Sequence, residues 1–256
     1  MKNFIKKYLF IFIIILLWIV GSHFSWWSSY IIPEPKKVLL TAIKLLKNGE
    51  LFKHLAISVI RIFLGFIISV LIGIPSAIIF TIFPKIYNYF KVILDFIKHI
   101  PPFALIPMII LWFGIGEVSK ILIIVLASFF PIFINTFKGI ISCDKKLIEV
   151  GQVFNFNKLE IFKKIVLPSS IPDILIGLKL GIGYSWRAII GAEMIAASSG
   201  IGYLILDGQQ MSRSDVIVVG IFSIGIFGVF MDYLCSKIIE KYMKKRGVFY
   251  EQQIYN

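Results

Sequence analysis

A few polar and charged residues interrupt the apolar stretches of this sequence, and they are its candidates for chemistry. Asn135, Ser185, Arg187 and Glu193 fall where long hydrophobic runs would hold them at membrane depth. A charge at the centre of a bilayer costs roughly 2.5–3.5 kcal/mol on insertion scales, so we expect Arg187 either to line a polar path or to pair with a neighbouring helix. Polar groups at membrane depth are what a path for a polar solute would need.

The chain offers no arrangement of residues that is typical of an enzyme. Its three histidines (His23, His54 and His99) fall in different segments, and its two cysteines (Cys143 and Cys235) are far apart. The sequence has no glycine-rich phosphate loop with a lysine, no Gly-x-Ser-x-Gly elbow and no paired carboxylates. We therefore expect a chain that catalyses no reaction and holds no metal, cofactor or disulfide.

The segment from Lys138 to Ile171 carries the most explicit local signals. Asp144 is placed to cap a helix that begins at Lys145. An apolar stripe follows at helical spacing; it comprises Leu147, Val150, Gly151 and Phe154. Nothing nearby in the sequence covers this stripe. It predicts either docking to a partner protein or packing back onto the membrane helices as an interfacial hairpin.

A second short helix is predicted in the same segment. Asn155 tolerates the left-handed backbone of a helix end, and Asn157 with Glu160 has the spacing of a capping box. Because proline interrupts helices, we expect this helix to stop at Pro168 and the next span to start around Ser170.

The elements that must position these residues are membrane spans. Hydrophobic residues make up 58% of the chain, the mean hydropathy is +0.90, and charged residues are 16%, against about 25% in ordinary soluble domains. With roughly 20 residues as the requirement, about six apolar blocks are long enough to span. The blocks run from Tyr8 to Tyr30, Leu55 to Phe83, Tyr87 to Phe113, Val118 to Phe137, Pro172 to Ala197 and Asp215 to Ile238.

Two of these blocks are irregular. Proline and charged residues interrupt the third, which we expect to span with a kink or to begin as an interfacial segment; they are Pro101, Pro102, Pro107, Asp95, Lys98 and His99. The fifth is rich in glycine and carries Lys179, Arg187 and Glu193, so it is expected to face protein or water.

Basic residues predict that both termini are cytoplasmic, with the first block retained as an anchor. The inner segments then hold Lys2, Lys6, Lys7, Lys85, the loop 138–164 and the basic tail. One amphipathic segment opposes this assignment and is expected on the outer surface; its lysines are Lys36, Lys37, Lys44, Lys47 and Lys53. Flanking lysines explain the net charge of +13, so no nucleic-acid partner is expected.

The loop resembles a known family motif. Glu149-Val150-Gly151, Asn155 and Ile165-Val166-Leu167-Pro168 are similar to the EAA loop of ABC importer permeases, whose pattern is Glu-Ala-Ala, three residues, Gly, nine residues and Ile-x-Leu-Pro. The spacing fits without a gap, although Gly151 replaces the second Ala and Asn155 replaces the Gly. In the family this loop is the coupling helix that sits in a groove of the cytoplasmic ATPase. The resemblance thus assigns coupling to Glu149, Val150, Gly151, Phe154, Asn155, Ile165, Leu167 and Pro168.

Further matches extend the resemblance over most of the chain. Together they are similar to permeases of nitrate, sulfonate and taurine importers, a group that also includes importers of thiamine-precursor pyrimidines and riboflavin. The matching stretches are Ser58 to Gly65, Ile100 to Pro107, Leu111 to Glu117, Phe130 to Ile132 with Asn135-Thr136, Ala192 to Met194 and Ser199 to Leu204.

The resemblance implies an all-α integral membrane protein of the ABC type I importer permease fold, with about six transmembrane helices. It implies a second permease copy, a pair of cytoplasmic ATPase subunits that use ATP and Mg, and an extracytoplasmic solute-binding protein. We expect an anchor and external segment (1–54), a core (55–242) with a coupling loop (138–171), and a cytoplasmic tail (243–256). Gly177, Gly181 and Ser185 offer a close-packing face, either to the second copy or within the chain.

Two other classes of membrane protein are alternatives to an ABC importer permease. A secondary, ion-driven transporter is typically built from matching halves with broken helices. The kinked third block and the glycine-rich fifth suit this, but the sequence has no matching halves. An intramembrane enzyme would need Asp, His or Ser clustered at one depth.

Overall fold

All regular elements in the described part of the chain are helical. The computed structural model describes residues 2–245, with the side chains of 2–8, 196 and 245 excepted. Of the basic tail, Lys237, Lys241, Lys244 and Lys245 therefore belong to the last described helix, whereas Arg246 lies outside the described residues. The helices are α1 (Lys2–His23), α2 (Pro35–Lys47), α3 (Glu50–Ile82), α4 (Pro84–Ile97), α5 (Ile106–Phe113), α6 (Glu117–Ile141), α7 (Lys145–Val153), α8 (Lys158–Ile161), α9 (Leu167–Ala196), α10 (Ile201–Gln210) and α11 (Ser214–Lys245).

Within the described residues, four helices are long and apolar enough to cross a membrane: Glu50–Ile82, Glu117–Ile141, Lys158–Ile195 and Ser214–Lys244. A fifth span is possible if α4 and the segment Pro102–Phe113 are one broken span. The first block appears as a shorter apolar helix, Leu9–His23. An all-helical membrane protein is thus confirmed, whereas the expected count of about six spans is not reached by helix length alone.

The third block contains a sharp break. Helix α4 ends at Ile97, a short 3-10 helix covers Pro102–Leu105, and the two arms are bent by 88°. Pro101 and Pro102 explain the break, because a proline disfavours helical backbone in the residue before it and removes a backbone donor. The expected kink is therefore present, between α4 and α5.

The predicted helix end at Pro168 is wrong. Helix α8 continues through a π-helical turn, Phe162–Val166, into α9, so that Lys158–Ile195 is one helical span. Pro168 is the second residue of α9 and directly follows the π-helical turn, where the usual i→i−4 hydrogen-bond pattern is interrupted. The wide turn lets the helix pass a proline that the sequence pattern marks as a stop.

The described residues form two compact units. The first combines the N-terminal part, through Val59, with Glu193–Ile226. Its core packs α2 and the start of α3 against α10 and the start of α11; the buried members are Val38, Leu45, Leu51, Ile201, Leu204, Ile205, Val216 and Val219.

The second unit combines Ile60–Ala192 with the chain from Phe227 onward. Close packing of small residues holds α9 against α6: a Cβ at Gly177 would lie 2.9 Å from Asn135 Cβ, and one at Gly181 would lie 2.9 Å from Ile132 Cγ1. Ser185 is buried on the same helix, and its hydroxyl donates to the Gly181 carbonyl at 2.9 Å. The glycine face is thus used within the chain, which is one of the two predicted alternatives.

Candidate functional site

Short-range hydrogen bonds build the loop between α6 and α9. The Asp144 side chain accepts from the Lys146 amide at 2.9 Å and caps α7. Asn157 accepts from the Glu160 amide at 2.9 Å, while Glu160 accepts from the Asn157 amide at 3.0 Å, so the capping box is complete. Asn155 has a positive φ of 55°. The predicted helix starts and the left-handed residue are therefore confirmed.

The loop folds on itself and also leaves an apolar surface open. Gly151 is buried, and a Cβ there would lie 2.6 Å from Ile165 Cδ1. Around this contact is a hollow of about 320 Å³ lined only by apolar residues, namely Leu147, Val150, Gly151, Phe154, Phe156 and Ile165. Val150 remains 51% exposed and Phe154 68% exposed. The loop thus presents a preformed apolar hollow with partly exposed walls.

The other loop residues that the resemblance singled out differ in exposure. The Glu149 side chain is exposed, while Leu167 and Pro168 are half-buried at the start of α9. Lys164 lies 4.2 Å from the centre of the Phe156 ring and pairs with Glu160 at 3.0 Å. These contacts connect side chains within the second arm of the loop.

A separate cavity of about 340 Å³ lies in the second unit, at the break between α4 and α5. Most of its lining is apolar, and its polar side chains are Lys98, His99, Asn135 and Tyr184. The Lys98 ammonium donates to Asp95 Oδ1 at 2.6 Å, and His99 Nδ1 lies 2.6 Å from the Asp95 carbonyl. Asn135 Nδ2 donates to the Pro131 carbonyl at 2.8 Å. The cavity therefore combines a mostly apolar lining with a few polar residues, as ligand sites do.

Of the four residues expected on a solute path, Asn135 lines this cavity. Arg187 is exposed and lies 5.8 Å from the ring centre of Tyr184, which is itself a lining residue. Ser185 is fully buried and does not line the cavity. The cavity is also lined by Lys98, His99 and Tyr184, which were not among the four expected residues. Polar residues directly before a Pro-Pro break in an apolar block are the signal that points to the first two.

Glu193 has a different environment, in the first unit. Its carboxylate is fully buried and accepts from Ser58 Oγ at 2.8 Å and from the Gly202 amide at 3.0 Å. The Ile201 amide donates to Ser58 Oγ at 3.0 Å, and the Gly200 amide donates to His54 Nδ1 at 3.0 Å. Together these bonds satisfy the first amides of α10, where a carboxylate is also favoured by the helix dipole.

Comparison with known proteins assigns this fold to a class. The structure resembles a chain of the MetNI methionine ABC transporter solved in inward-facing conformations, with a TM-score of 0.63 and 15% identity over 72% of this chain and 92% of that one. At this identity the likeness concerns the fold, which is that of the membrane part of an ABC transporter.

Comparison of the sequence with known proteins identifies the family. Residues 69–246 match the model of the binding-protein-dependent transport system inner membrane component. The chain is 36% identical to a protein designated aliphatic sulfonates transport permease SsuC of Bacillus subtilis (strain 168), over 93% of this chain and 86% of that one. It is 31% identical to the taurine transport system permease TauC of Escherichia coli (strain K12), over 81% and 80%.

The chain therefore belongs to the binding-protein-dependent transport system inner membrane components, and it is a multi-pass permease subunit of an ABC importer. The predicted family is confirmed.

Proposed function

We propose that this permease carries a small sulfonate-type anion through the cavity at the α4–α5 break. The observation that carries the proposal is the placement of Lys98, His99, Asn135 and Tyr184 on an otherwise largely apolar cavity. An ammonium has three donors, so Lys98 can bind Asp95 and still donate to an anion. The names of the relatives, which refer to aliphatic sulfonates and taurine, support the same solute class.

A second solute class is compatible with the cavity. Phe130 and Tyr184 both line it and offer aromatic faces. Such faces suit a thiamine-precursor pyrimidine or riboflavin, since flat rings stack on aromatic side chains. The cationic groups favour the anion, and the solute screen below separates the two classes.

In this proposal, the free energy of ATP binding and hydrolysis is transmitted to the permease through the loop that contains α7 and α8. The loop sits in a groove of the cytoplasmic ATPase, with Phe154 and Val150 as exposed apolar contacts beside Gly151 and with the exposed Glu149 on the same helix as Val150 and Gly151. ATP and Mg are bound by that ATPase pair. Closure of the ATPases moves the loops and opens the path outward, and hydrolysis resets it. The chain itself couples and conducts and performs no bond chemistry.

The proposed topology has six spans, with α1 as the first and the broken α4–α5 pair as the third. Both termini are then cytoplasmic, and α2 and α10 face outward. Residues 1–54 form the anchor and external segment, 55–242 the transport core and 243–256 the tail. A second copy of the permease and an extracytoplasmic binding protein complete the importer. These assignments rest on the basic residues of the inner segments and on the family.

The solute is tested first on the binding protein that delivers it. Thermal-shift screening against taurine, alkanesulfonates, nitrate and thiamine-type pyrimidines should give one strong hit among the anions. Uptake by the complete transporter should then show that Lys98→Met raises the KM about tenfold or more, because a charge-assisted hydrogen bond contributes ~1.5–3 kcal/mol. Lys91→Met is the matched control, because Lys91 is exposed on α4, about two turns before Lys98, and lies outside the cavity. A pyrimidine hit, or equal effects of the two variants, would overturn the anion assignment.

Coupling is tested in the loop. Gly151→Arg should abolish uptake and leave membrane insertion intact, but it also disrupts the contact with Ile165. Phe154→Asp changes the exposed wall of the hollow alone, and it should abolish ATPase co-purification and uptake. Leu159→Asp is the control, because Leu159 is exposed in the same loop and lies outside the hollow. Uptake that persists after loss of the ATPase would instead identify an ion-driven carrier.

A further inference from the structure

Helix α2 has three chemically distinct faces. One face is buried in the core of the first unit and contains Val38, Thr41 and Leu45. The Thr41 hydroxyl donates to Asp215 Oδ2 at 2.7 Å, which fixes the rotation of α2 about its axis. The other two faces are therefore held in defined directions away from the core.

The second face is apolar and has no partner within the described residues. Leu39 is 61% exposed, Ile43 39% and Leu46 58%. Their spacing of four and three residues places them on one stripe at 100° per residue. A fixed stripe of this kind in water would be unfavourable, since each side chain forgoes the gain of burial.

The third face is mostly basic. It borders the apolar stripe and carries Lys36, Lys37, Lys44 and Lys47, all of them exposed, around one leucine, Leu40, which is 58% exposed. Among the side chains that the structure describes, none of these lysines forms an ion pair with a carboxylate. Lys37 does interact electrostatically with the nearby Asp215 carboxylate, which also pairs with Arg213. Four neighbouring ammonium groups exceed the charge of this carboxylate and favour an anionic partner.

The surroundings of α2 are those of a membrane interface. It lies in the chain between the apolar helix α1 and the spanning helix α3, and Trp26 and Tyr30 in the preceding turn are exposed. Exposed Trp and Tyr beside spans are typical of the headgroup level. The Tyr30 hydroxyl donates to Ser212 Oγ at 2.9 Å, so this turn is tied to the same unit as α2.

We propose that α2 is an interfacial helix that binds anionic phospholipid headgroups. Its apolar stripe lies among the upper acyl chains, and the four lysines extend to the phosphates, as long basic side chains do at interfaces. The stripe favours lipid over an acidic protein, because the neighbouring helices already place it at the bilayer edge. The proposal does not depend on the solute or on coupling.

The test uses the full chain in nanodiscs of phosphatidylcholine, with and without phosphatidylglycerol. A nitroxide on Ile43→Cys, in a background with Cys143→Ser and Cys235→Ser, reports accessibility to oxygen and to a water-soluble nickel chelate. Spin-labelled phosphatidylglycerol reports lipid enrichment beside the probe. We expect an oxygen-accessible, nickel-protected probe and enrichment of phosphatidylglycerol over phosphatidylcholine.

Replacing all four lysines with Gln should reduce that enrichment at least about fivefold, the effect of one basic residue at an anionic surface. The matched variant with four Arg residues should keep it, and both should melt like the parent chain in neutral detergent. Nickel access at position 43 in nanodiscs would overturn the proposal. Protection that appears only when the solute-binding protein is added would overturn it in favour of a protein-docking helix.

Discussion

The carboxylate of Glu193 occupies the space in which a Cβ at residue 200 would lie. Gly200 has a φ of 112° and a ψ of 168°, a backbone region that is essentially restricted to glycine. Each residue therefore requires the other. The absence of a side chain at Gly200 leaves space for the Glu193 carboxylate, and that carboxylate caps the helix whose N-cap residue is Gly200.

Gly200→Ala should destabilise the protein markedly. The backbone alone should cost roughly 1–3 kcal/mol, and the added methyl group displaces the Glu193 carboxylate. We expect a lower melting temperature in detergent and reduced uptake. Gly225→Ala is the control, because nothing lies within 4 Å of a Cβ there and alanine favours a helix by about 1 kcal/mol. Equal melting temperatures for the two variants would contradict the proposed role of Gly200.

Glu193 variants separate a structural role from a place on the solute path. Glu193→Gln still offers an acceptor to the Ser58 hydroxyl and the Gly202 amide. Glu193→Ala leaves the buried Gly202 amide without this acceptor, at ~1–3 kcal/mol, while the Ser58 hydroxyl keeps the more distant His54 carbonyl at 3.2 Å. We therefore expect the melting temperature to fall much more for Ala than for Gln. If Gln raised the KM for uptake without a stability loss, Glu193 would belong to the path, as the sequence had predicted.

The contact between α6 and α9 predicts a difference between two glycines on one helix. Gly177→Ala places a Cβ 2.9 Å from Asn135 Cβ and 3.1 Å from the Pro131 carbonyl oxygen, so the helices must separate. Gly183→Ala meets nothing within 4 Å. We expect the first variant to lower the melting temperature and the second to leave it unchanged or raise it. Because alanine favours a helix over glycine, a similar loss in both variants would mean that contacts other than this one, such as those with a second copy, decide stability.

The ion pair between α9 and α11 should be worth more than an exposed pair. Lys179 Nζ lies 3.3 Å from Asp232 Oδ1, within two apolar spans. Removing either charge leaves the other without its partner in an apolar span, which is unfavourable. The double variant Lys179→Leu/Asp232→Leu should therefore be more stable than either single variant. Lys164→Met, which breaks a loop pair with Glu160, should change stability by less than about 1 kcal/mol.

Sequence reasoning succeeded where the determinants are local. The cap at Asp144, the left-handed Asn155 and the capping box of Asn157 and Glu160 each depend on residues a few positions apart. Such geometry follows from backbone donors and short side chains, so it can be predicted from the segment alone.

Sequence reasoning did not predict the contacts between segments that are far apart in the chain. Glu193 and Ser58 are separated by 135 residues, and His54 meets Gly200 across 146. No local pattern shows that a carboxylate near the end of α9 turns back onto α10. The cavity likewise depends on how the break after Ile97 faces α6 and α9, which only the packed helices determine.

The π-helical turn at Phe162–Val166 has a mechanical consequence. Because α8, this turn and α9 form one unbroken helix, no flexible linker lies between the loop and the span to absorb a displacement. A π turn holds one residue more than an α turn, and one residue corresponds to about 100° of rotation about the axis. Conversion of this turn to an α turn would therefore rotate the whole of α9 about its axis. A displacement of the loop would then change the direction in which the Tyr184 side chain points.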